Sequence, residues 1–272
     1  MRRMAAPAPR ILFIDNSNSF TKFALGSAER ISTVRKLATR TLTASGIRAA
    51  LKGWRFERVI LCSVVPVMGD LLEKTLAPIP VLRVSSKLRL GIGIDYPKPA
   101  RIGADRLANA AAAAALHGAP AIVVDFGTAV SFDILSTAGD YVGGVIAPGL
   151  EAMTDYLHQR TALLPKISLL EPPRAIGKST KQAMLAGAVF GYRGLVRQIL
   201  VELRRELGAP RNLKVVATGG YASLIAAGLP EIQTIRQDLT LQGLRIIHNL
   251  NPSASIAQAK VRTKTARRQR AR

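Results

Sequence analysis

A short apolar run that ends in an aspartate and a small polar turn occurs twice in this chain, and it narrows the possible folds more than any other feature. Ile11-Leu12-Phe13-Ile14 runs into Asp15 and then Asn16-Ser17-Asn18-Ser19. In mid-chain, Ala121-Ile122-Val123-Val124 runs into Asp125 and then Phe126-Gly127-Thr128. Such runs, bounded by turn formers, read as strands buried on both faces. A tight turn of hydroxyl or amide residues offers backbone N–H groups to an anion, while the carboxylate can hold a cation. The repetition predicts a duplicated domain with a phosphate-handling cleft between its halves.

The rest of the chain alternates in the same way. Residues 20–25 and 130–135 are expected to return as hairpin partners of the two strands. Residues 59–62, 80–84 and 215–217 read as further short strands. Residues 107–117, nearly all alanine and leucine, predict a helix that stops at Gly118. Residues 180–203 and 239–249 also have helical composition, and 30–52 are expected to be helical in part. Gly143-Gly144 and Pro148-Gly149 are expected to break up the stretch after the second hairpin. Strands alternating with helices make the class α/β.

With 272 residues, 48% of them hydrophobic, the chain can bury a sizeable core. No apolar run approaches the ~20 residues that cross a bilayer, so no membrane role is expected. Residues 1–10 lack the apolar stretch of a secretory signal. Cys62, the one cysteine, excludes an internal disulfide, and no His/Cys spacing suggests zinc. A reducing, cytoplasmic setting is expected. The net charge of +22 is partly a matter of the ends. Residues 1–10 hold Arg2, Arg3 and Arg10 without an acid, and 260–272 hold Lys260, Arg262, Lys264, Arg267, Arg268, Arg270 and Arg272, again without one. Such tails fit a solvated, disordered extension (256–272 is assigned as one), or nucleic-acid binding through phosphates, which is not expected to be the main role.

Three further segments carry possible chemistry. Gly177-Lys178-Ser179 resembles the end of a P-loop, but Pro172 occupies the position of that motif's first glycine and no strand precedes it. A helix start capped by Ser179 or Thr180 is the better reading. Thr218-Gly219-Gly220 follows a strand and reads either as a plain strand-to-helix turn or as a close backbone approach to a nucleotide. Asp105 lies at the entrance of the alanine-rich helix, where it reads either as an N-cap or as a base for a substrate hydroxyl. Arg106 beside it suits a carboxylate or phosphate, and Tyr96 lies on a proline-stiffened loop just upstream. The scattered His117, His158 and His248 read as structural.

Taken in order, these segments resemble the type III pantothenate kinase family, which includes the Bvg accessory factors and belongs to the acetate and sugar kinase/Hsp70/actin superfamily. The resemblance spans about residues 11–250. It runs through Asp15 to Ser19, Cys62-Ser63-Val64-Val65-Pro66, Tyr96 and Pro99, and Gly103-Ala104-Asp105-Arg106. It continues through Asp125-Phe126-Gly127-Thr128-Ala129, Gly143-Gly144-Val145-Ile146-Ala147-Pro148-Gly149, Leu163-Leu164-Pro165, Gly177-Lys178-Ser179-Thr180 and Ala217-Thr218-Gly219-Gly220.

The resemblance implies two tandem ribonuclease-H-like domains of the actin-like ATPase fold, at 11–118 and 119–255, with an interdomain active-site cleft. It implies ATP-dependent phosphorylation of pantothenate by a homodimer. Asp15, Asn16, Ser17, Asn18, Ser19, Phe20, Thr21 and Lys22 would meet ATP, with Asp15 near Mg²⁺ through the phosphates, and Thr128 would contact ATP. Asp105 would be the general base. Tyr96, Gly103, Ala104, Asp105, Arg106 and Thr180 would bind pantothenate, and Asp125 would help hold a monovalent cation, K⁺ or NH₄⁺. One position departs from the family: Ser17 stands where glycine is usual. If that position takes φ > 0, serine costs about 1 kcal/mol or more and shifts the N–H groups aimed at phosphate.

Overall fold

The computed structural model describes residues 10–252, so all of the basic N-terminal segment except Arg10, and the whole of 256–272, lie outside the described residues. The chain divides into two compact units. The first takes residues up to 92, 97–115 and from 239 onward; the second takes 93–96 and 116–238.

The first unit is built on a mixed sheet of β1 (Ile11–Asn16), β2 (Phe20–Gly26), β3 (Ile31–Ala38), β4 (Arg58–Ser63) and β5 (Val81–Arg83), in the order β3-β2-β1-β4-β5. β1 pairs antiparallel with β2 and parallel with β4, and every residue of it is buried. α1 (Ala44–Ala50) and α2 (Pro66–Leu76) help cover the sheet, where Ile47, Leu72 and Leu76 join Leu12, Ile14, Phe23 and Leu61 in one core. α3 (Ala104–His117) is the expected alanine-rich helix.

The second unit repeats the pattern. Its sheet comprises β6 (Gly93–Ile94), β7 (Ala121–Phe126), β8 (Ala129–Leu135), β9 (Asp140–Pro148), β10 (Lys214–Gly219) and β11 (Thr234–Ile235), in the order β11-β10-β7-β8-β9-β6. β7 pairs antiparallel with β8 and parallel with β10, as β1 does with β2 and β4. α4 (Leu150–Arg160), α5 (Thr180–Glu206) and α6 (Ala222–Ala226) belong to this unit. α5 is long and apolar enough to span a bilayer on length and composition alone, yet Val189, Tyr192 and Val196 sit in the core of the unit.

Two expectations change and one is sharpened. The part of 30–52 that is helical includes α1, whereas residues 31–38 form a strand in which Ile31, Arg35 and Leu37 share a half-buried side. Arg35 disguises that alternation: its guanidinium lies 4.4 Å from the Trp54 ring centroid. Residues 140–148 form one continuous strand despite their glycines, and Gly143 takes φ +139°, which no β-branched residue would tolerate. The last helix, α7 (Leu239–Leu250), belongs to the first unit rather than to a second domain ending at 255. Its Leu239, Leu241, Leu244 and Ile247 are buried, and it packs on β1 and β4.

Gly243 lets α7 approach α3. A Cβ there would lie 2.6 Å from the Ala108 carbonyl carbon. Gly243→Ala is therefore expected to destabilise the protein by about 1–3 kcal/mol through overpacking. Gly194→Ala in α5, where a Cβ meets nothing within 4 Å, should stabilise it by about 0.5–1 kcal/mol. Urea unfolding of the two variants checks both signs.

Candidate active site

In the first unit the end of β1 delivers Asp15, 4% exposed, to the mouth of the β1–β2 hairpin. Lys22 stands opposite in register, with its Nζ 3.4 Å from Asp15 Oδ2. Burial pushes the Asp15 carboxyl above its ordinary range; Lys22 pulls it down, and the negative charge of Asp105 pushes it up again. The two carboxylates thus lie within electrostatic reach of each other.

Asp105 is not the N-cap of α3. The helix starts at Ala104, and Leu107 N–H donates to Gly103 O at 3.1 Å, so Asp105 sits inside the first turn. Its Oδ1 accepts the Arg106 N–H at 2.8 Å. A Cβ at residue 103 would lie 2.5 Å from that oxygen, so glycine there leaves room for the carboxylate. Burial raises the Asp105 carboxyl as well, against the lowering effect of the Arg106 N–H and guanidinium.

The turn between β1 and β2 is tight: Ser17 N–H donates to Phe20 O at 3.1 Å and Ser17 Oγ donates to the same oxygen at 2.9 Å. Among the described non-glycine residues only Ala209 has a positive φ. Ser17 therefore carries no left-handed strain, and the cost attached to the missing glycine does not arise.

In the second unit Asp125 occupies the corresponding place at the end of β7. It faces Ser131 across β8 and Thr218 along β10. Gly219, at φ +93°, is obligatory, since a Cβ would lie 2.6 Å from Asp125 Oδ1 and equally close to the Phe126 backbone. The next turn is anchored through backbone: Gly149 N–H donates to Thr128 O at 3.2 Å and Gly127 N–H to Ala129 O at 3.0 Å. Tyr221 N–H reaches Phe126 O at 3.4 Å, and the Tyr221 hydroxyl donates to Glu151 in the first turn of α4. Asp125, Thr128 and the Thr218-Gly219-Gly220 turn are thereby gathered at one end of this sheet.

Tyr96 follows β6 in the same unit and packs edge-on against Tyr141, with centroids 6.2 Å apart. Thr180 is the exposed first residue of α5, and Ser179 is the cap, its Oγ accepting Gln182 N–H at 3.3 Å. No strand precedes this helix start, which removes the P-loop reading. His158 Nδ1 lies 3.0 Å from Leu164 O, and His248 packs edge-on to Phe13. Among the described residues no group of three or more His, Cys, Asp or Glu side chains could hold a metal ion. A cation bound here would need substrate oxygens as ligands beside a single carboxylate, and Asp15 at the end of β1 fits that arrangement.

Sequence reasoning missed Thr39 and underused Ser63, both of which contact this machinery. Thr39 lies just beyond β3, in a stretch expected to be partly helical, so no signal marked it. Ser63 was legible only as a strand end.

The family model for type III pantothenate kinases matches residues 11–202. The chain belongs to the type III pantothenate kinase family. A type III pantothenate kinase from Akkermansia muciniphila is 51% identical over 241 residues, covering 88% of this chain and 98% of that one. Among solved structures, a conserved putative Baf family transcriptional activator from Campylobacter jejuni aligns with a TM-score of 0.56 at 20% identity, over 89% of this chain and 99% of that one. MreB 5 of Spiroplasma citri bound to AMPPNP aligns at 0.50 and 10% identity, over 95% and 100% of the two chains. These structural likenesses are of fold, and the fold is the actin-like ATPase architecture expected from the sequence.

The raised carboxyls set a pH dependence. Between the ordinary value of 3.8 and the raised folded value, the folded protein holds more protons than the unfolded chain. Stability therefore falls as pH rises through that interval, and the cost persists at neutral pH. Asp105→Asn should be more stable than the wild type at neutral pH, with the gap closing at acid pH where both carboxyls are protonated. Urea midpoints at the two pH values test this, and equal midpoints at neutral pH would contradict it.

Proposed function

We propose that this chain transfers the γ-phosphoryl group of ATP to the hydroxyl of pantothenate, giving 4′-phosphopantothenate, the first step of coenzyme A synthesis. The observation that carries the reading, beyond family membership, is the pair of carboxylates with raised proton affinity in one unit, Asp15 at the end of β1 and Asp105 at the start of α3.

In this reading Asp105 is the general base. A carboxylate with raised proton affinity is a better acceptor for the pantothenate hydroxyl proton. As the hydroxyl oxygen bonds to the γ-phosphorus, the bond from that phosphorus to the β–γ bridging oxygen breaks, ADP leaves, and Asp105 keeps the proton. Arg106, Tyr96, Gly103, Ala104 and Thr180 bind and orient pantothenate, with the Arg106 guanidinium suited to its carboxylate. The turn at residues 17–20 receives the phosphates, with Asn16 and Thr21 buried beneath it and out of contact with ATP; Lys22 neutralises the phosphate charge, and Thr128 contacts ATP. Asp15 would help hold Mg²⁺ together with the phosphates, and the ion would neutralise the charge spread over the transferred group. Asp125, with hydroxyl-bearing register partners, helps hold a monovalent cation, K⁺ or NH₄⁺.

The working form proposed is a cytoplasmic homodimer. An apolar groove of about 750 Å³ between α4 and α5 supports this, lined in part by Met153, Tyr156, Leu157 and Met184. It includes none of the residues assigned to ATP or pantothenate, so it is read as an association surface and not as the substrate pocket.

Three measurements test the proposal. Purified protein with ATP should phosphorylate pantothenate in preference to a panel of sugars, as read by ADP release. Asp105→Asn keeps an acceptor for the Arg106 N–H, so it should fold and bind ATP while turnover falls about 10²–10⁴-fold. Wild-type turnover in that variant would remove Asp105 from its role. Asp125→Asn should abolish activation by K⁺ or NH₄⁺, as read by titrating those ions.

A further inference from the structure

The turn at residues 17–20 is held from beneath by side chains to which the preceding reading gives no positioning role. Thr39, 2% exposed, engages two of its carbonyls. Its N–H donates to Ser19 O at 3.0 Å and its hydroxyl donates to Ser17 O at 2.7 Å. That use of the one hydroxyl proton leaves Thr21 as donor in the 3.0 Å contact between Thr21 Oγ1 and Thr39 Oγ1. Thr21 Oγ1 accepts from Asn16 Nδ2 at 2.8 Å, and Asn16 Oδ1 accepts from Ser63 Oγ at 2.7 Å. The Ser63 hydroxyl also lies 3.1 Å from Val65 O, the longer of its two contacts with an acceptor, and it accepts the Val65 N–H at 3.3 Å.

Every donor in this chain points the same way, from Ser63 through Asn16, Thr21 and Thr39 to the Ser17 carbonyl. Asn16 and Thr21 are completely buried, so water cannot take over a lost link. Aligned hydrogen bonds in a low-dielectric interior reinforce one another. The partners meet because of strand register: Asn16 stands opposite Thr21 on one side and Ser63 on the other.

The effect falls on the turn's own donors. Its peptides are trans, so each N–H points opposite to the carbonyl of the residue before it. With Ser17 O and Ser19 O both drawn to Thr39, the N–H groups of Asn18 and Phe20 face away from it. We infer that Ser63, Asn16, Thr21 and Thr39 form a positioning relay that aims the N–H groups of this turn at the phosphates of ATP, with Thr39 and Ser63 as positioning residues. The inference rests on the kinase reading of the turn. It also explains how serine serves at position 17, since a turn fixed by Thr39 does not depend on the conformational freedom of glycine.

Thr39→Val keeps the side-chain volume and the N–H bond to Ser19 O and removes only the hydroxyl. It should weaken ATP binding about three- to tenfold, the worth of one hydrogen bond, and raise KM for ATP in step. KM for pantothenate should stay unchanged, and Thr39→Ser should restore ATP affinity. Ser63→Ala, at the far end of the relay, should move the ATP constant in the same direction by less. Combined with Thr39→Val, it should add nothing further. ATP affinity is measured by equilibrium titration of ATP·Mg²⁺ without pantothenate, so failure to phosphorylate pantothenate counts against the substrate reading alone. Wild-type ATP affinity in folded Thr39→Val would overturn the relay, as would equal weakening of ATP and pantothenate that Thr39→Ser does not repair. Should Thr39→Val not fold, Ser63→Ala decides: unchanged ATP affinity overturns the relay.

Discussion

β1 is hydrogen-bonded on both sides, to β2 and to β4, and its side chains are buried from Ile11 through Asn16. A carboxylate at the end of such a strand cannot relieve its desolvation by turning to water. The register of the two neighbours then decides what compensates it. β2 brings Lys22 opposite Asp15, and the same pairing places Thr21 and Ser63 on either side of Asn16. Ion pair and relay are thus consequences of one strand alignment. A slip of a single residue would turn Asp15 to the other face of the sheet and separate Asn16 from both partners.

The second unit uses the same alignment with different side chains, and the chemistry differs accordingly. Asp125 has Ser131 and Thr218 as register partners where Asp15 has Lys22 and Cys62. Hydroxyl-bearing residues, not a lysine, stand opposite it in both neighbouring strands. The close backbone approach of Gly219 confines the carboxylate from the other side. The same strand-and-turn thus carries a lysine-paired carboxylate in one unit and a hydroxyl-flanked one in the other, through the residues that its neighbouring strands present.

Much of this was readable from the sequence wherever apolar runs were uninterrupted. β1, β4, β7 and β10 announce themselves as buried strands, and α3 as an alanine-rich helix, because burial on both faces or strong propensity leaves one reading. The failures share a cause, which is tertiary contact overriding a local signal. β3 has a single half-buried side, and its alternation includes Arg35, whose burial depends on Trp54. β9 contains glycines that a sheet interior normally disfavours. α2 begins at Pro66, a residue suited to a helix start, in a stretch where no element is expected from the sequence. In the candidate site, Asp15, Asp105 and Asp125 stood out by position. Thr39 did not, because its role rests on two carbonyls some twenty residues away in the chain.

The assignment of α7 to the first unit bears on how the protein is made. A ribosome completes residues 116–238, and with them nearly all of the second unit, before it has synthesised the helix that covers β1 and β4. Until Leu239, Leu241, Leu244 and Ile247 emerge, the sheet that carries Asp15 lacks part of its hydrophobic cover. The earlier half of the sequence is thus the later half to mature, and the nascent chain must hold its first sheet incomplete while its second closes. Premature termination shortly before residue 239 would leave one finished unit joined to an unfinished one, with the aggregation hazard that exposed strand faces carry.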